Sequence, residues 1–283
     1  MKITKHRKAL LGFAASTLLV LGGCTPDSMG DSAGTADDNF VETVYGIPND
    51  VWEEMNNYDY ENPYESAPIP DDYKEQFYIS EIPDEMYERD EAVYTDENCP
   101  VKREDLRYLH VLNKNWDGET LEGELIVNKH IAEDVLDILL KLYEADYRIG
   151  EIGIVNNSIV KEDYYVCEQS ILYNISMCFR TYSLVNHESK HGLGLALDIN
   201  PVVNPYTENG EVPQTLLYMF EHYPPERDSN YRYMIREDDL CVQLFKEHGF
   251  EWGGDWDDPK NYMHFEIPDE MVEQWYPGTL KED

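Results

Sequence analysis

The sequence predicts an α+β fold, in which one compact domain over residues 99–283 contains a central, mostly antiparallel sheet flanked by helices. Two observations lead to this prediction. Strand-like and helix-like segments are mixed without the regular strand–helix alternation that produces a parallel sheet. Hydrophobic residues make up 42% of the 283-residue chain, which is enough for one sizeable core plus extensions.

The first predicted elements are a pair of strands and a helix. Residues 106–112 and 123–127 are strand-like, and the turn signal Asp117-Gly118 lies between them. A helix follows, because apolar residues recur at the spacing of one helical face. These residues are Ile131, Val135, Ile138, Leu139 and Leu142.

Two later elements complete the predicted domain. Residues 149–155 are expected to form a further strand. A second amphipathic helix is expected to end at Gly249, because glycine is favoured just after the last helical turn. The apolar residues of that helix are Leu240, Cys241, Leu244 and Phe245.

The N-terminus has the pattern of an export signal over residues 1–23. Four basic side chains precede an apolar run that is shorter than a membrane span, and small residues then lead into Cys24. This pattern resembles the lipobox of bacterial lipoproteins. The resemblance implies cleavage before Cys24, a lipid on its sulfur, and an extracytoplasmic protein anchored to the bacterial cell membrane. An ordinary signal peptide with a chance cysteine is the alternative.

Residues 24–98 are predicted to be a flexible acidic tether of low order. Small polar residues dominate its first part, and an acidic stretch rich in tyrosine and proline follows. The net charge of −36 argues against nucleic acid as a partner and against basic patches that bind anionic lipid. We interpret the charge mainly as a contribution to solubility.

Four cysteines remain after the predicted cleavage, and their pairing is open. An extracytoplasmic compartment permits disulfides, and four cysteines allow three pairings. Free thiols are an equal alternative, and none of the cysteines has the CxxC spacing of a zinc or redox site. They are Cys99, Cys167, Cys178 and Cys241.

Two segments with period-two alternation present metal-binding side chains on one face. In the first, leucines alternate with small residues and Asp198, and His191 stands just before this run. In the second, His264 and Glu266 share a face, so that the carboxylate is able to orient the second ring nitrogen of the histidine. Two histidines and one aspartate form a three-ligand zinc site, which leaves a fourth position for a water of pKa about 7.

These segments carry a family resemblance. The pattern Ser189-x-His191-x-x-Gly194-x-Ala196-x-Asp198, followed by His264-Phe265-Glu266, resembles the D-alanyl-D-alanine carboxypeptidase family of zinc peptidases. That family also includes D,D-dipeptidases and L-alanyl-D-glutamate endopeptidases. Further matches within residues 106–267 are Asp198-Ile199-Asn200-Pro201, Asn204-Pro205-Tyr206 and Gly249-Phe250-x-Trp252-Gly253-Gly254-Asp255-Trp256.

The resemblance implies a zinc peptidase that acts on peptidoglycan stem peptides, and we expect a monomer, although the sequence alone leaves the oligomeric state open. It implies zinc on His191, Asp198 and His264, with Glu266 beside the last ligand. It also implies an upstream arginine that holds the substrate, and Arg180 stands where that residue is expected. A planar guanidinium suits a terminal carboxylate or a developing oxyanion. Ser189 and Trp256 are further candidates for contact with the substrate, although Trp256 is equally suited to pack in the core.

The sequence departs from the family at one position. A carboxylate that acts as general base stands three residues before the last histidine in the family, and here that residue is Asn261. An amide orients a water but does not take its proton. Three interpretations follow: another acid serves, hydrolysis is slow, or the protein binds wall peptides without cutting them. The candidate acids are Asp255, Asp257, Asp258 and Glu266.

The run His187-Glu188-Ser189-Lys190-His191 also matches HExxH, the motif of zincin metalloendopeptidases. In that alternative, Glu188 would be the general base and both histidines would bind zinc from one helix. Glycines at 192 and 194 disfavour the helix that this arrangement needs. We therefore place this second enzyme hypothesis behind the first.

Overall fold

The computed structural model describes residues 66–84, 101–154, 190–213 and 233–280. All of them belong to one compact unit, residues 43–283. Three α-helices and three antiparallel sheets occur within these segments, so the predicted α+β class is confirmed. The described strands are divided among three small sheets rather than gathered in one central sheet. Across the described segments, no helix is long and apolar enough to cross a membrane.

The first sheet has the order β1-β2-β3 and is antiparallel throughout. Its strands are β1 (Tyr78–Ser80), β2 (Leu106–Lys114) and β3 (Thr120–Asn128). The β2–β3 hairpin is the predicted pair of strands, longer at its ends, and Gly118 adopts the left-handed conformation that the turn requires (φ 81°). Helix α1 (Ala132–Glu144) buries the predicted apolar face against this sheet.

Residues 66–84 correct the prediction of a tether up to residue 98. Phe77 and Ile82 are buried in the core, and β1 pairs with β2 so that Tyr78 lies opposite His110. The prediction rested on the acidic composition of the whole stretch. The short apolar run that contains Phe77, Ile79 and Ile82 is nevertheless long enough to add one strand to a sheet. The predicted export signal and Cys24 lie outside the described residues.

Residues 149–154 also correct the sequence prediction, because they are not a strand. Isolated backbone hydrogen bonds to Lys114 and Glu124 and two buried amide side chains hold their backbone instead. Asn113 donates from Nδ2 to the carbonyl of Ile149 at 2.7 Å, and Asn200 accepts from the N–H of Gly150 at 3.1 Å. These contacts replace the regular ladder that the apolar pattern suggested. The last residue of the predicted strand, Val155, lies outside the described segments.

The second half of the domain contains two small sheets and two short helices. One sheet has the order β4-β8-β6, and the other pairs β5 with β7. The elements are β4 (Ala196–Asp198), β5 (Tyr206–Thr207), α2 (Leu240–Glu247), β6 (Glu251–Trp252), β7 (Lys260–Asn261), β8 (His264–Glu266) and α3 (Asp269–Trp275).

Helix α2 contains the predicted apolar residues and ends just before the predicted Gly249. The side chain of Asp239 caps its N-terminus by accepting from the N–H of Cys241 at 2.7 Å, and Gly249 follows its last turn with φ 84°. Phe245 of this helix stacks on Phe265 of β8 at 4.2 Å between ring centroids. Cys241 is a buried free thiol, and the other three cysteines lie outside the described residues.

Candidate metal centre

Strand pairing brings two of the three predicted metal ligands together. β4 and β8 are antiparallel neighbours, and their register places Asp198 directly opposite His264. Side chains of directly opposed residues on one face lie within contact distance. The core side of the same pair is apolar, since Leu197 and Phe265 are both fully buried.

The third predicted ligand, His191, reaches the same place through a tight turn. Residues Lys190–Leu193 form a 3-10 helix, and Gly194 follows in the left-handed conformation (φ 68°). A Cβ atom at Gly194 would lie 2.9 Å from the backbone nitrogen of Asn128, so a side chain does not fit there. The turn directs the chain from His191 back into β4, which begins at Ala196 rather than at Gly194, where the period-two alternation begins.

The three side chains form a tight and buried cluster. Nε2 of His191 lies 3.2 Å from Oδ2 of Asp198 and 3.2 Å from Nδ1 of His264. Nδ1 of His264 lies 2.9 Å from Oδ1 of Asp198. Each of the three residues is at most 6% exposed, and one ligand atom from each lies within 4.8 Å of the others.

This geometry fits a tetrahedral metal ion. Zinc binds imidazole nitrogen and carboxylate oxygen at about 2.0–2.1 Å, which separates neighbouring ligand atoms of a tetrahedron by about 3.3 Å. The observed separations between ligand atoms are 2.9–3.2 Å. Two imidazoles and a carboxylate are also a donor set that first-row transition metals accept. The residues are therefore arranged to hold a divalent ion, and their role as ligands stays a prediction.

Glu266 fixes the orientation of His264, as the sequence suggested. Its Oε2 lies 2.8 Å from Nε2 of His264, which leaves Nδ1 directed at the cluster. Burial disfavours the charged imidazolium, but hydrogen bonds and charges from Asp198 and Glu266 outweigh it and raise the pKa of His264 to about 9. Burial likewise opposes ionisation of Glu266, but its contacts with His264 and Lys190 hold its pKa below the usual value.

A comparison with protein families identifies this region. Residues 185–267 match the family model described as D-alanyl-D-alanine carboxypeptidase. The family resemblance is confirmed for this segment. Comparisons with curated proteins and with solved structures gave no significant match. Together with the His-Asp-His cluster, the match supports a peptidase of the D-alanyl-D-alanine carboxypeptidase type.

Within the carboxypeptidase-like segment, Asn261 lies at the end of β7. This strand belongs to a different sheet from β4 and β8, which carry Asp198 and His264. Its Oδ1 is buried and has no hydrogen-bond partner among the described residues. Gly253 packs against its backbone, since a Cβ there would lie 2.5 Å from the carbonyl oxygen of Asn261. Because buried acceptors are almost always satisfied, this oxygen is suited to accept from a water or from a bound substrate.

The acids proposed as substitutes for the missing base are engaged elsewhere or exposed. Glu266 holds His264 and Lys190. Asp255 pairs with Lys246 at 2.6 Å, and Asp258 accepts from the N–H of Asn209 at 2.6 Å. Asp257 is exposed. Within the described segments, none of these four carboxylates is shown free beside the three predicted ligands.

Trp256 lies beside the cluster, and the other predicted substrate contacts are not described. Its partly buried ring is 5.7 Å from that of His264, and Lys260 holds its loop by donating to the carbonyls of Gly254 and Trp256 at 2.8 and 2.7 Å. Arg180 and Ser189 lie outside the described residues, as do His187 and Glu188 of the HExxH run. The described end of that run, from residue 190, is a 3-10 helix.

The structure adds residues that sequence reasoning missed. Lys190 is buried at 5% exposure, although its type and its place beside a ligand gave no sign of a role. Asn200 and Asn204 are fully buried and hold the chain that leaves β4. Asn204 donates to the carbonyl of Asn200 at 3.0 Å and accepts from the N–H of Ile235 at 2.7 Å. Both asparagines belong to motifs that carry the family resemblance, which was the available signal.

Proposed function

We propose that this protein is a zinc-dependent peptidase that cuts peptidoglycan stem peptides, as a D,D-carboxypeptidase or an L-alanyl-D-glutamate endopeptidase. One observation carries the proposal: His191, Asp198 and His264 converge on one point within the segment that matches the family model. Two strands and a turn bring them there from positions far apart in the chain. A chance cluster would not be expected to coincide with the family motif.

The residues of the site have separable tasks. When zinc is bound, it polarises a carbonyl and activates a water. His191, Asp198 and His264 hold the ion, and Glu266 keeps Nδ1 of His264 directed toward it. The ring of Trp256 offers an apolar wall beside the ligands. By the resemblance, Arg180 binds a terminal carboxylate or stabilises the oxyanion of the tetrahedral intermediate.

Asn261 sets the expected rate. Its amide oxygen accepts a hydrogen bond from a water and so orients it, but the amide takes no proton at neutral pH. A positioned general base contributes about 10²–10⁴-fold to such reactions. With the four alternative acids engaged or exposed, the proton passes to solvent. We therefore propose slow hydrolysis.

A second candidate is a wall-peptide binder on the same metal scaffold. The observation that favours it is again Asn261, because the ligand positions are complete while the proton acceptor is replaced. Such a protein would hold zinc and a stem peptide and release neither D-alanine nor a dipeptide.

We also propose that the protein acts outside the cytoplasm, anchored through a lipid on Cys24. Support comes from the basic start, the short apolar run and the small residues before that cysteine. Membrane fractionation after replacement of Cys24 with Ser tests the anchor: release from the membrane supports it, and unchanged membrane association contradicts it.

The function is tested by mass spectrometry of peptidoglycan fragments incubated with the purified protein, with and without a chelator, alongside zinc stoichiometry. We expect slow, chelator-sensitive release of D-alanine or a dipeptide. Zinc with bound peptide and no product supports the binder, and absence of zinc from the wild-type protein refutes both candidates.

Two alanine variants identify the ligands. His264→Ala should abolish zinc binding, while His187→Ala should spare it. The opposite result would establish the HExxH arrangement instead.

A further inference from the structure

A buried lysine stands behind the predicted metal ligands. Lys190 is 5% exposed, and its Nζ lies 2.7 Å from Oε1 of Glu266 and 2.5 Å from Oδ1 of Asp269. An ammonium group in such a position needs carboxylate partners, because burying an unpaired charge is costly. The two partners differ, since the Glu266 side chain is 15% exposed and the Asp269 side chain is 78% exposed.

The carboxylate of Glu266 is shared between the lysine and a ligand. One oxygen, Oε1, accepts from Lys190, and the other, Oε2, lies 2.8 Å from Nε2 of His264. A carboxylate held at both oxygens has a fixed plane, whereas a glutamate held at one oxygen retains rotation about its side-chain bonds. Lys190 therefore fixes the group that orients His264.

Lys190 also precedes His191 directly in the chain. Its carbonyl accepts from the N–H of Leu195 at 3.0 Å and so helps to close the turn that carries this ligand. The backbone of one residue thus supports His191, while its side chain supports His264 through Glu266. The two histidines come from separate segments, the 3-10 turn and β8, and Lys190 connects them.

We propose that Lys190 is a positioning residue of the metal centre, which acts through Glu266 to hold Nδ1 of His264 in the geometry that binds the ion. This inference rests on the proposed zinc site. It concerns how tightly the ion is held rather than which bond is cut.

The test compares zinc affinity by chelator competition in Lys190→Met, Glu266→Gln and the double variant. Loss of a partner that orients a metal ligand lowers metal affinity by about 10–100-fold, and we expect this for each single variant. Because Lys190 acts through Glu266, adding Lys190→Met to Glu266→Gln should lower the affinity by less than about threefold further.

Two controls separate positioning from folding. Asp269→Asn removes only the exposed partner of Lys190 and should leave affinity within about threefold of wild type. Lys141→Met removes a lysine from a surface ion pair on α1 and should leave it unchanged. The visible absorption of the cobalt-substituted protein reports ligand geometry directly, and we expect it to change in Lys190→Met and in neither control.

The outcomes distinguish this inference from the proposed function. Absence of zinc from the wild-type protein removes the proposed function itself. Zinc binding in the wild type with unchanged affinity and cobalt spectrum in Lys190→Met overturns the inference alone, and so does full additivity of the two single losses. Should Lys190→Met not fold, Lys190→Gln takes its place, because it removes the ammonium and shortens the side chain while keeping a polar group, and an unchanged cobalt spectrum and affinity again overturn the inference.

Discussion

Replacing Asn261 with Asp is the most direct test of the chemistry. The substitution exchanges an amide for a carboxylate of the same shape at the end of β7, where Gly253 packs against the backbone. By the family resemblance this position carries the general base, so the new carboxylate is expected to supply the lower part of the range for a general base, about 10²-fold in kcat/KM. That factor corresponds to about 2.7 kcal/mol of transition-state stabilisation.

The same substitution is also expected to lower stability, which gives the test a second readout. Oδ1 of Asn261 is buried and has no hydrogen-bond partner among the described residues. An ionised carboxylate there loses solvation, so we expect Asn261→Asp to lower the free energy of unfolding of the metal-free protein by about 1–3 kcal/mol. Bound zinc should reverse part of this loss, because a cation nearby favours the ionised carboxylate.

The assay measures product release from peptidoglycan fragments at equal zinc occupancy, beside thermal unfolding with and without a chelator. Asn261→Ala is the matched control, because it removes the amide without adding a base, and it should give no gain. If Asn261→Asp folds and holds zinc but kcat/KM does not rise, then this position does not limit proton transfer, and the argument for a weakened base step is wrong.

Two further predictions concern stability. In the metal-free protein, the pKa of His264 is raised from 6.5 to about 9, so the stabilising contribution of its imidazolium is complete below pH 6.5 and is lost as pH rises through 9. Urea unfolding in the presence of chelator should show that the free energy of unfolding falls by up to about 3 kcal/mol across that window, and a flat profile would contradict this prediction. Gly253→Ala should lower the free energy of unfolding by about 1–3 kcal/mol, because its Cβ would meet the backbone of Asn261 at 2.5 Å, and an unchanged denaturation midpoint would show that β7 shifts freely.

Periodicity alone predicted the elements with strong local patterns. The β2–β3 hairpin has a turn signal between two apolar runs, and α1 contains four of the five predicted apolar residues, with the fifth, Ile131, at its N-cap. Asp198 and Glu266 were correctly placed on strands that present them beside histidines. In each case the signal lies within one short segment, where side-chain alternation and backbone geometry determine each other.

The errors arose where distant contacts decide the structure. Residues 149–154 have an apolar pattern typical of a strand, but the buried amides of Asn113 and Asn200 and a few isolated backbone hydrogen bonds hold their backbone instead. The strand at Tyr78–Ser80 exists because β2 offers an edge to it, which the acidic composition around it did not suggest. Lys190 was missed because a buried lysine is recognised only once its carboxylate partners are known.

The position of Asn261 makes the two candidate functions separable by experiment. The ligands lie on β4, β8 and the turn before β4, and their support comes from Glu266 and Lys190. Asn261 lies on β7, which pairs with β5 in a different sheet. A substitution at 261 is therefore expected to change proton transfer while leaving the predicted ligand geometry intact. If Asn261→Asp holds zinc and gains hydrolysis, the scaffold is that of a peptidase whose general base has been replaced. The wild-type protein then still binds stem peptides, and what it has lost is the proton acceptor rather than the substrate site.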